Sequence, residues 1–395
     1  MDFQLSPEEV AFRTEVRAFL DENLPPEGDR TSPTFMQDWN TKVREKRWVG
    51  FSWPKEVGGG GGSVMEQVIL KEEMARQKAP SLGTCFMGLA WVGPAIIQYG
   101  TEEQKADILP RILAGEIFFA IGYSEPGAGT DLASLKTAAH QEGDEWVING
   151  EKWFASNFRF ATFAIVMVIT DPDVSVYRGS SMLLVPADAE GLEVVRNVGL
   201  AGDRIADGDH AYLRFTDVRV PAENLLGEEG AGFRIAQERL GGGRVHHGMR
   251  SVGTAQRALD MMCERVLSRE TKGSLIAEKQ SIQHWIADSW IQIQQFRLLV
   301  LHTAWLIDTV GDYAKIRHHI AAVKVATPKV LMDVVYRAMH AHGSLGVSNE
   351  MPLIGMWMTG PIMGIADGPS EVHKAVSYTH LRAHETLRYL VCRLL

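Results

Sequence analysis

Several groups of residues in this chain have the types and spacing to do chemistry. Asp367-Gly368-Pro369 sets a carboxylate just ahead of a helix start, with Glu371 in that helix's first turn. Alone, Asp-Gly-Pro is a turn signal, and Asp367 could also help cap the helix. A base is compatible with either, because a helix N-terminus favours the ionised carboxylate. Gly241-Gly242-Gly243-Arg244 reads as the opening of a long helix, where free N–H groups beside an arginine make an anion site. The plainer alternative is a flexible helix start with a solvated arginine. Tyr123-Ser124-Glu125-Pro126-Gly127-Ala128-Gly129-Thr130 has glycines that let backbone approach a ligand, or that merely turn the chain into a strand. Trp153-Phe154-Ala155-Ser156-Asn157 puts an aromatic ring and a hydroxyl on one strand. His246-His247 and His318-His319 invite a metal, but neighbouring residues point apart on a helix and no third ligand follows at useful spacing. No metal site is expected.

The elements that position these residues fall into three textures. Residues 1–119 read as helical: Ser6-Pro7-Glu8-Glu9 is a capping box, and Val10, Phe12, Val16, Phe19 and Leu20 form a roughly helical stripe. Thr101-Glu102-Glu103-Gln104 opens another helix, which Pro110 is expected to interrupt or end. The run from Val57 to Ser63, "VGGGGGS", reads as a loop; no Gly-Lys-Ser/Thr follows it, so a phosphate loop is disfavoured. Residues 120–228 carry short β-rich runs between Gly and Asp/Pro turns, which predicts a small barrel or sandwich. Residues 229–395 return to long helices with apolar residues three and four apart, as in an antiparallel bundle. The fold class is therefore α+β multidomain: an N-terminal helical domain, a central β-domain and a C-terminal domain like a four-helix bundle.

The bulk numbers exclude some functions. With 45% hydrophobic and 23% charged residues, the 395-residue chain has ample core material. A net charge of −9 argues against bulk attraction to nucleic acid or an anionic membrane. The three cysteines, Cys85, Cys263 and Cys392, are far apart, which fits a reducing compartment. The N-terminus has neither signal- nor transit-peptide pattern, and no apolar run is long enough to span a membrane. The expectation is a cytoplasmic protein of bacterial type.

"YSEPGAGTDLASLKT" resembles the first signature of the acyl-CoA dehydrogenases. "VINGEKWFASN", "FTDVRVPAENLLGEEGAGF" and "WPKEVGGGGGS" resemble further segments of that family, in its order. Within it, "GRVHHGMRSVGTAQRALDMMCERV" and "IADGPSEVH" are most similar to the branch of family members ten and eleven, where Asp-Gly-Pro replaces the more common Glu-Gly-Thr. The resemblance implies α,β-dehydrogenation of a fatty acyl-CoA thioester to the trans-2-enoyl-CoA. A carboxylate takes the α-proton and hydride passes to N5 of FAD. It also implies an electron-transfer flavoprotein as acceptor, and a homodimer or homotetramer.

Carried onto this sequence, the resemblance makes Asp367 the base, about 1.5 Å shorter in reach than a glutamate. Tyr123 and Ser124 would lie against the flavin ring, and Gly129 and Thr130 near flavin and substrate phosphates. Phe154 would cover the flavin face, where most relatives have Trp, and the Ser156 hydroxyl would sit near N5 and O4. Arg244 would meet the CoA nucleotide; Gly241 stands where many relatives have a contacting Asp. Arg269, Thr271 and Gln280 would reach FAD, Arg269 on a neighbouring subunit, with Lys272 in place of a usual Phe. His340 and Gly343 match the loop that meets the partner's FAD. Pro369 and Glu371 complete the cofactor contacts, and Gly368 and Thr130 touch substrate.

Two other readings stay open on the sequence. One is a flavoprotein oxidase of the same superfamily, like nitroalkane or acyl-CoA oxidases, with oxygen as acceptor. The other is a non-catalytic scaffold. The stretch after Val376, "SYTHLRAHETLRYLVCRLL", is unlike the family's last helix and resembles translated sequencing-adapter DNA. The native frame is therefore expected to end near Val376, leaving residues 377–395 non-native.

Overall fold

The computed structural model describes residues 5–82, 86–200 and 208–385. In chain order its helices are α1 (Pro7–Asn23), α2 (Pro33–Glu45), α3 (Val64–Gln77), α4 (Gly93–Tyr99), α5 (Glu102–Ala114), the single turn α6 (Val176–Gly179), α7 (Gly232–Ser268), α8 (Gln280–Val310), α9 (Tyr313–His342), α10 (Leu353–Ile365) and α11 (Ser370–Glu385). The strands are β1 (Phe119–Gly122), β2 (Ala138–Glu142), β3 (Glu145–Ser156), β4 (Phe163–Ile169), β5 (Ser180–Pro186), β6 (Leu192–Val198), β7 (His210–Pro221), β8 (Leu225–Leu226), β9 (Glu270–Thr271) and β10 (Ser274–Leu275). The chain divides into two compact units. One comprises Met1–Phe35, Gly62–Pro80 and Gly241–Leu395; the other comprises Met36–Gly61 and Ser81–Leu240.

The first unit is helical. The Ser6–Glu9 capping box forms reciprocally: Ser6 N–H donates to Glu9 Oε2 at 2.8 Å and Glu9 N–H donates to Ser6 Oγ at 3.2 Å. Val16, Phe19 and Leu20 are buried, but Val10 is half exposed. Six residues turn a helix by 240°, which takes Val10 off the face of Val16. Charge explains why α1 and α3 belong with the C-terminal helices. Glu72 and Glu73 of α3 are buried, and Arg13 and Arg17 of α1 and Arg297 of α8 pair with them. Each buried glutamate meets two arginines, so Glu72 and Glu73 each keep a cation if one arginine is lost.

The bundle core comes from one face each of three long helices: Val245, Met249, Val252 and Leu259 on α7, Ile293, Phe296 and Val300 on α8, and Ile320, Val323 and Val334 on α9. Helices α8 and α9 are joined through Gly311 (φ 65°) and Asp312, whose carboxylate accepts from Ala314 N–H at 2.9 Å. So short a turn forces an antiparallel pair. A Cβ at Gly248 would come within 2.6 Å of Val323, so glycine lets α7 and α9 approach.

The second unit centres on an eight-stranded sheet, order β6-β7-β3-β1-β4-β5-β8, with β2 paired to both β3 and β4. Most neighbours are antiparallel; β4 pairs parallel with β1 and with β2. Alternation builds its core, with Ala211, Leu213 and Phe215 of β7 facing inward beside Ile148, Val166 and Leu183. Pro110 does not end α5, contrary to the sequence expectation. The helix runs on to Ala114 and stops at Gly115 (φ 70°), where left-handed backbone closes the C-terminus. The glycines after Val57 do form a loop, and one is there for space: a Cβ on Gly59 would lie 2.2 Å from the Trp53 carbonyl oxygen.

Candidate active site

In the helical unit, the link between α10 and α11 turns sharply. Asp367 has φ 57° and Gly368 φ 99°. Left-handed backbone is costly for an aspartate and must be held. The holders converge on the Asp367 carbonyl oxygen. Arg244 donates from Nε at 3.3 Å and Nη2 at 3.1 Å, and His373 donates from Nε2 at 3.1 Å. A side chain at residue 368 would put a Cβ 2.9 Å from His373 Nε2. Gly368 is therefore required by conformation and by space.

With its carbonyl engaged, Asp367 turns its carboxylate to α7, where Oδ2 lies 3.5 Å from His247 Nε2; both side chains are about six-sevenths buried, at 14% and 15% exposure. His247 in turn accepts at Nδ1 from Arg250 Nη2, 3.0 Å away. Lys324 of α9 is buried and donates to the Met363 carbonyl. Burial pushes Lys324 down to about 8, while Asp367 opposes the shift. Burial likewise pushes His373 down to about 4, with Arg244 adding to it, so its ring is neutral and its Nε2–H is available. The setting is a carboxylate surrounded by donors and cations.

The triglycine does not open a helix. Helix α7 begins at Gly232, so Gly241–Gly243 lie within it and their N–H groups are not a helix end. Glycine's poor propensity suggested a boundary, but the helix runs from Phe233 through Ile235 and Ala236, both buried. Arg244 thus acts from the body of a helix, and it donates to the Asp367 carbonyl.

The other residues singled out in this unit sit elsewhere on it. Arg269, Thr271 and Gln280 are exposed, around a β9–β10 hairpin turned by Lys272 (φ 50°) and Gly273 (φ 76°). His340 is exposed at the end of α9, its ring 4.3 Å from Tyr336 and 6.0 Å from Trp285 of α8. Gly343 (φ 66°) closes α9. Pro369 precedes α11, its carbonyl accepting from Val372 and His373 N–H, and Glu371 is exposed beside Lys374. Helix α11 continues through residue 377 to Glu385; residues 386–395 of the suspected tail lie outside the described residues.

In the β-unit, Tyr123 and Ser124 lead out of β1 into a turn closed by two backbone bonds between Glu125 and Ala128, at 3.0 and 3.1 Å. The turn is fastened from below. Lys152, fully buried, donates to Tyr123 O at 3.0 Å and to Glu125 Oε1 at 2.8 Å, and Glu125 also accepts from Lys136 and Thr137 N–H. Gly127, Gly129 and Thr130 are exposed, and a Cβ on either glycine would meet nothing within 4 Å. The β3–β7 register shifts between Lys152 and Ala155, a bulge that spans Trp153 and Phe154. Phe154, at φ 57°, leaves the core and is 47% exposed. Its neighbours are Trp153, stacked on Tyr212 at 5.5 Å with Arg196 above it, and His210, whose Nδ1 lies 2.8 Å from Ser156 Oγ. The buried Trp153 Nε1–H has no hydrogen-bond acceptor among the described residues.

Sequence reasoning missed Glu125, Lys152, His210, Arg250, Lys324 and His373. A lysine at the same alternation as Trp146 and Ile148 of β3 was a usable signal for Lys152, since a charge on the inward face needs a partner. For the rest, the chain offers no local sign.

Models of the acyl-CoA dehydrogenase N-terminal, middle and C-terminal domains match residues 6–116, 120–218 and 230–381. The chain belongs to the acyl-CoA dehydrogenase family. It is 35% identical over 391 residues to a Mycobacterium tuberculosis protein named Probable acyl-CoA dehydrogenase FadE2, covering 94% of this chain and 95% of that one. It is 34% identical to acyl-CoA dehydrogenase family member 11 of Rattus norvegicus, with 91% of this chain matched but only 48% of the relative, so the chain spans about half that protein's length. The crystal structure of acyl-CoA dehydrogenase from Geobacillus kaustophilus superposes with a TM-score of 0.82 at 29% identity, covering 96% of this chain and all of that one. The chain is thus an oxidoreductase of a flavoprotein family that generally uses FAD. No helix among the described residues is long and apolar enough to cross a membrane.

Proposed function

We propose that the chain removes one hydrogen from each of the α and β carbons of a fatty acyl-CoA thioester, giving the trans-2-enoyl-CoA, with Asp367 as the base. The observation that carries this reading is the backbone clamp at Asp367. Arg244 and His373 hold the carbonyl, and the carboxylate is left buried beside neutral and cationic donors. Asp367 takes the α-proton onto a carboxylate oxygen as that C–H bond breaks. FAD, when bound, supplies the hydride acceptor for the β carbon. The exposed Phe154 ring, the open glycines at 127 and 129, the Ser156 hydroxyl and the buried Trp153 N–H suit a planar, heteroatom-rich ring of this kind.

We assign Tyr123, Ser124, Gly129 and Thr130 to the flavin and its phosphates, and Arg244, Thr130 and Gly368 to the substrate. Arg269, Thr271, Gln280, His340 and Gly343 belong, in this reading, to the FAD of a second copy of the chain. Their exposure supports that, as does the apolar stripe of Trp290, Ile291, Leu298 and Trp305 on α8. A homodimer or homotetramer follows, with an electron-transfer flavoprotein as oxidant. The reading also keeps three sequence domains, 1–119, 120–228 and 229–395.

The test is anaerobic bleaching of the flavin by a saturated acyl-CoA series from butyryl to palmitoyl. Asp367→Asn should retain FAD and bind acyl-CoA yet bleach at least about a thousand-fold more slowly. Near-normal bleaching by that variant refutes the base. Rapid peroxide formation on admitting air would replace the dehydrogenase with an oxidase.

A further inference from the structure

We propose that Arg250 and His247 act together as a positioning pair for Asp367: Arg250 holds His247 in its Nε2–H tautomer, and that N–H faces the carboxylate. The inference rests on the reading of Asp367 as the base.

The argument is one of donor inventory. A guanidinium only donates. Arg250 Nη2 lies 3.0 Å from His247 Nδ1, so Nδ1 must offer its lone pair. A neutral imidazole then carries its hydrogen on Nε2, the nitrogen 3.5 Å from Asp367 Oδ2. Positions 247 and 250 are three apart on α7, so both side chains lie on one face. The ring is neutral for two reasons: burial disfavours its cation first, and Arg250 and Lys324 add to that, against the pull of Asp367. The charged and titratable groups around the site come from several helices: Arg244 and Arg250 of α7, Lys324 of α9, Glu371 and the neutral His373 of α11, and Lys71 of α3 beside the neutral His246. Among them, His247 is the side chain whose hydrogen is fixed toward the carboxylate by another residue.

The arrangement answers a need peculiar to an aspartate base. Its carbonyl is already held by Arg244 and His373. Its short side chain must reach the substrate without the extra carbon of a glutamate, so rotation away from the productive position costs rate. A neutral donor steadies the charged form without neutralising it. His247 is therefore a positioning residue, not a catalytic one.

The experiment uses the holoenzyme and follows flavin bleaching against pH by stopped flow, with whichever acyl-CoA of the series reduces it fastest. Removing a donor to the charged carboxylate should move the acid limb of the profile upward, by about one pH unit in His247→Phe. His247→Gln keeps an N–H donor and should shift less. The 15N imidazole signal of His247, assigned by its loss in His247→Gln, should report the Nε2–H tautomer at neutral pH and lose that preference in Arg250→Met. A slower His247→Phe with an unmoved acid limb means packing only and overturns the proposal, as does an Nδ1–H or doubly protonated His247 in the wild type. Bleaching by Asp367→Asn would instead overturn the base itself, so the two failures are distinguishable.

Discussion

At Gly368 two constraints coincide: φ of 99° and a Cβ that would meet His373 at 2.9 Å. Gly368→Ala should therefore cost about 1–3 kcal/mol of stability and, by displacing His373 from the Asp367 carbonyl, slow flavin reduction as well. Gly364→Ala, within α10, is the control, since its nearest Cβ contact would be an ordinary 3.8 Å to Pro328 of α9. Thermal melts and bleaching rates of the two variants check both expectations, and equal behaviour would refute the constraint. Asp367 itself was legible in the sequence, because a carboxylate followed by Gly-Pro is a local pattern. What surrounds it was not. Arg244 lies 123 residues away along the chain, and only the folding of α7 against the α10–α11 link brings it to the Asp367 carbonyl.

Among elements, the β3 strand shows how a bulge and a buried charge share the work. The bulge turns Phe154 outward, while Lys152, two residues before it in the strand, points inward and ties the Tyr123–Gly129 turn to the sheet. Lys152→Met should leave Glu125 buried without its cation, costing about 3–5 kcal/mol, and should lower FAD retention. Combining it with Glu125→Leu should recover part of the stability lost by either single change. A double-mutant cycle in urea measures this, and strictly additive losses would mean the pair is not coupled. Capping boxes and apolar periods predicted α1, α5, α7, α8 and α9 because those signals lie within a few residues. The boundary of α7 misled for the converse reason. Three glycines carry low intrinsic propensity, but burial along the rest of a 37-residue helix outweighs them.

For the whole molecule, the buried imidazoles set the response to acid. His246 is pushed down to about 3 and His373 to about 4, each chiefly by burial. Both values are below the ordinary value of 6.5, so the unfolded chain binds these protons first. Their contribution to stability is therefore complete above pH 6.5 and is lost as pH falls toward 4 and then 3. His373 alone, shifted from 6.5 to about 4, accounts for something on the order of 3 kcal/mol. Melting temperature should fall steadily between pH 6.5 and 4, and less steeply in His373→Gln. A flat profile across that window would show that the imidazoles are accessible to water.

Arg244, His247 and Arg250 hang from one helix at steps of three, each with its own task around Asp367. Such an array tolerates exchange of residues far better than a change in their number. One residue inserted between 244 and 250 would rotate everything beyond it by about 100° and advance it by about 1.5 Å. The carbonyl clamp and the tautomer lock would then face different directions. Lineages that keep this chemistry should vary the residues between Arg244, His247 and Arg250 while leaving the length of the seven-residue span 244–250 untouched.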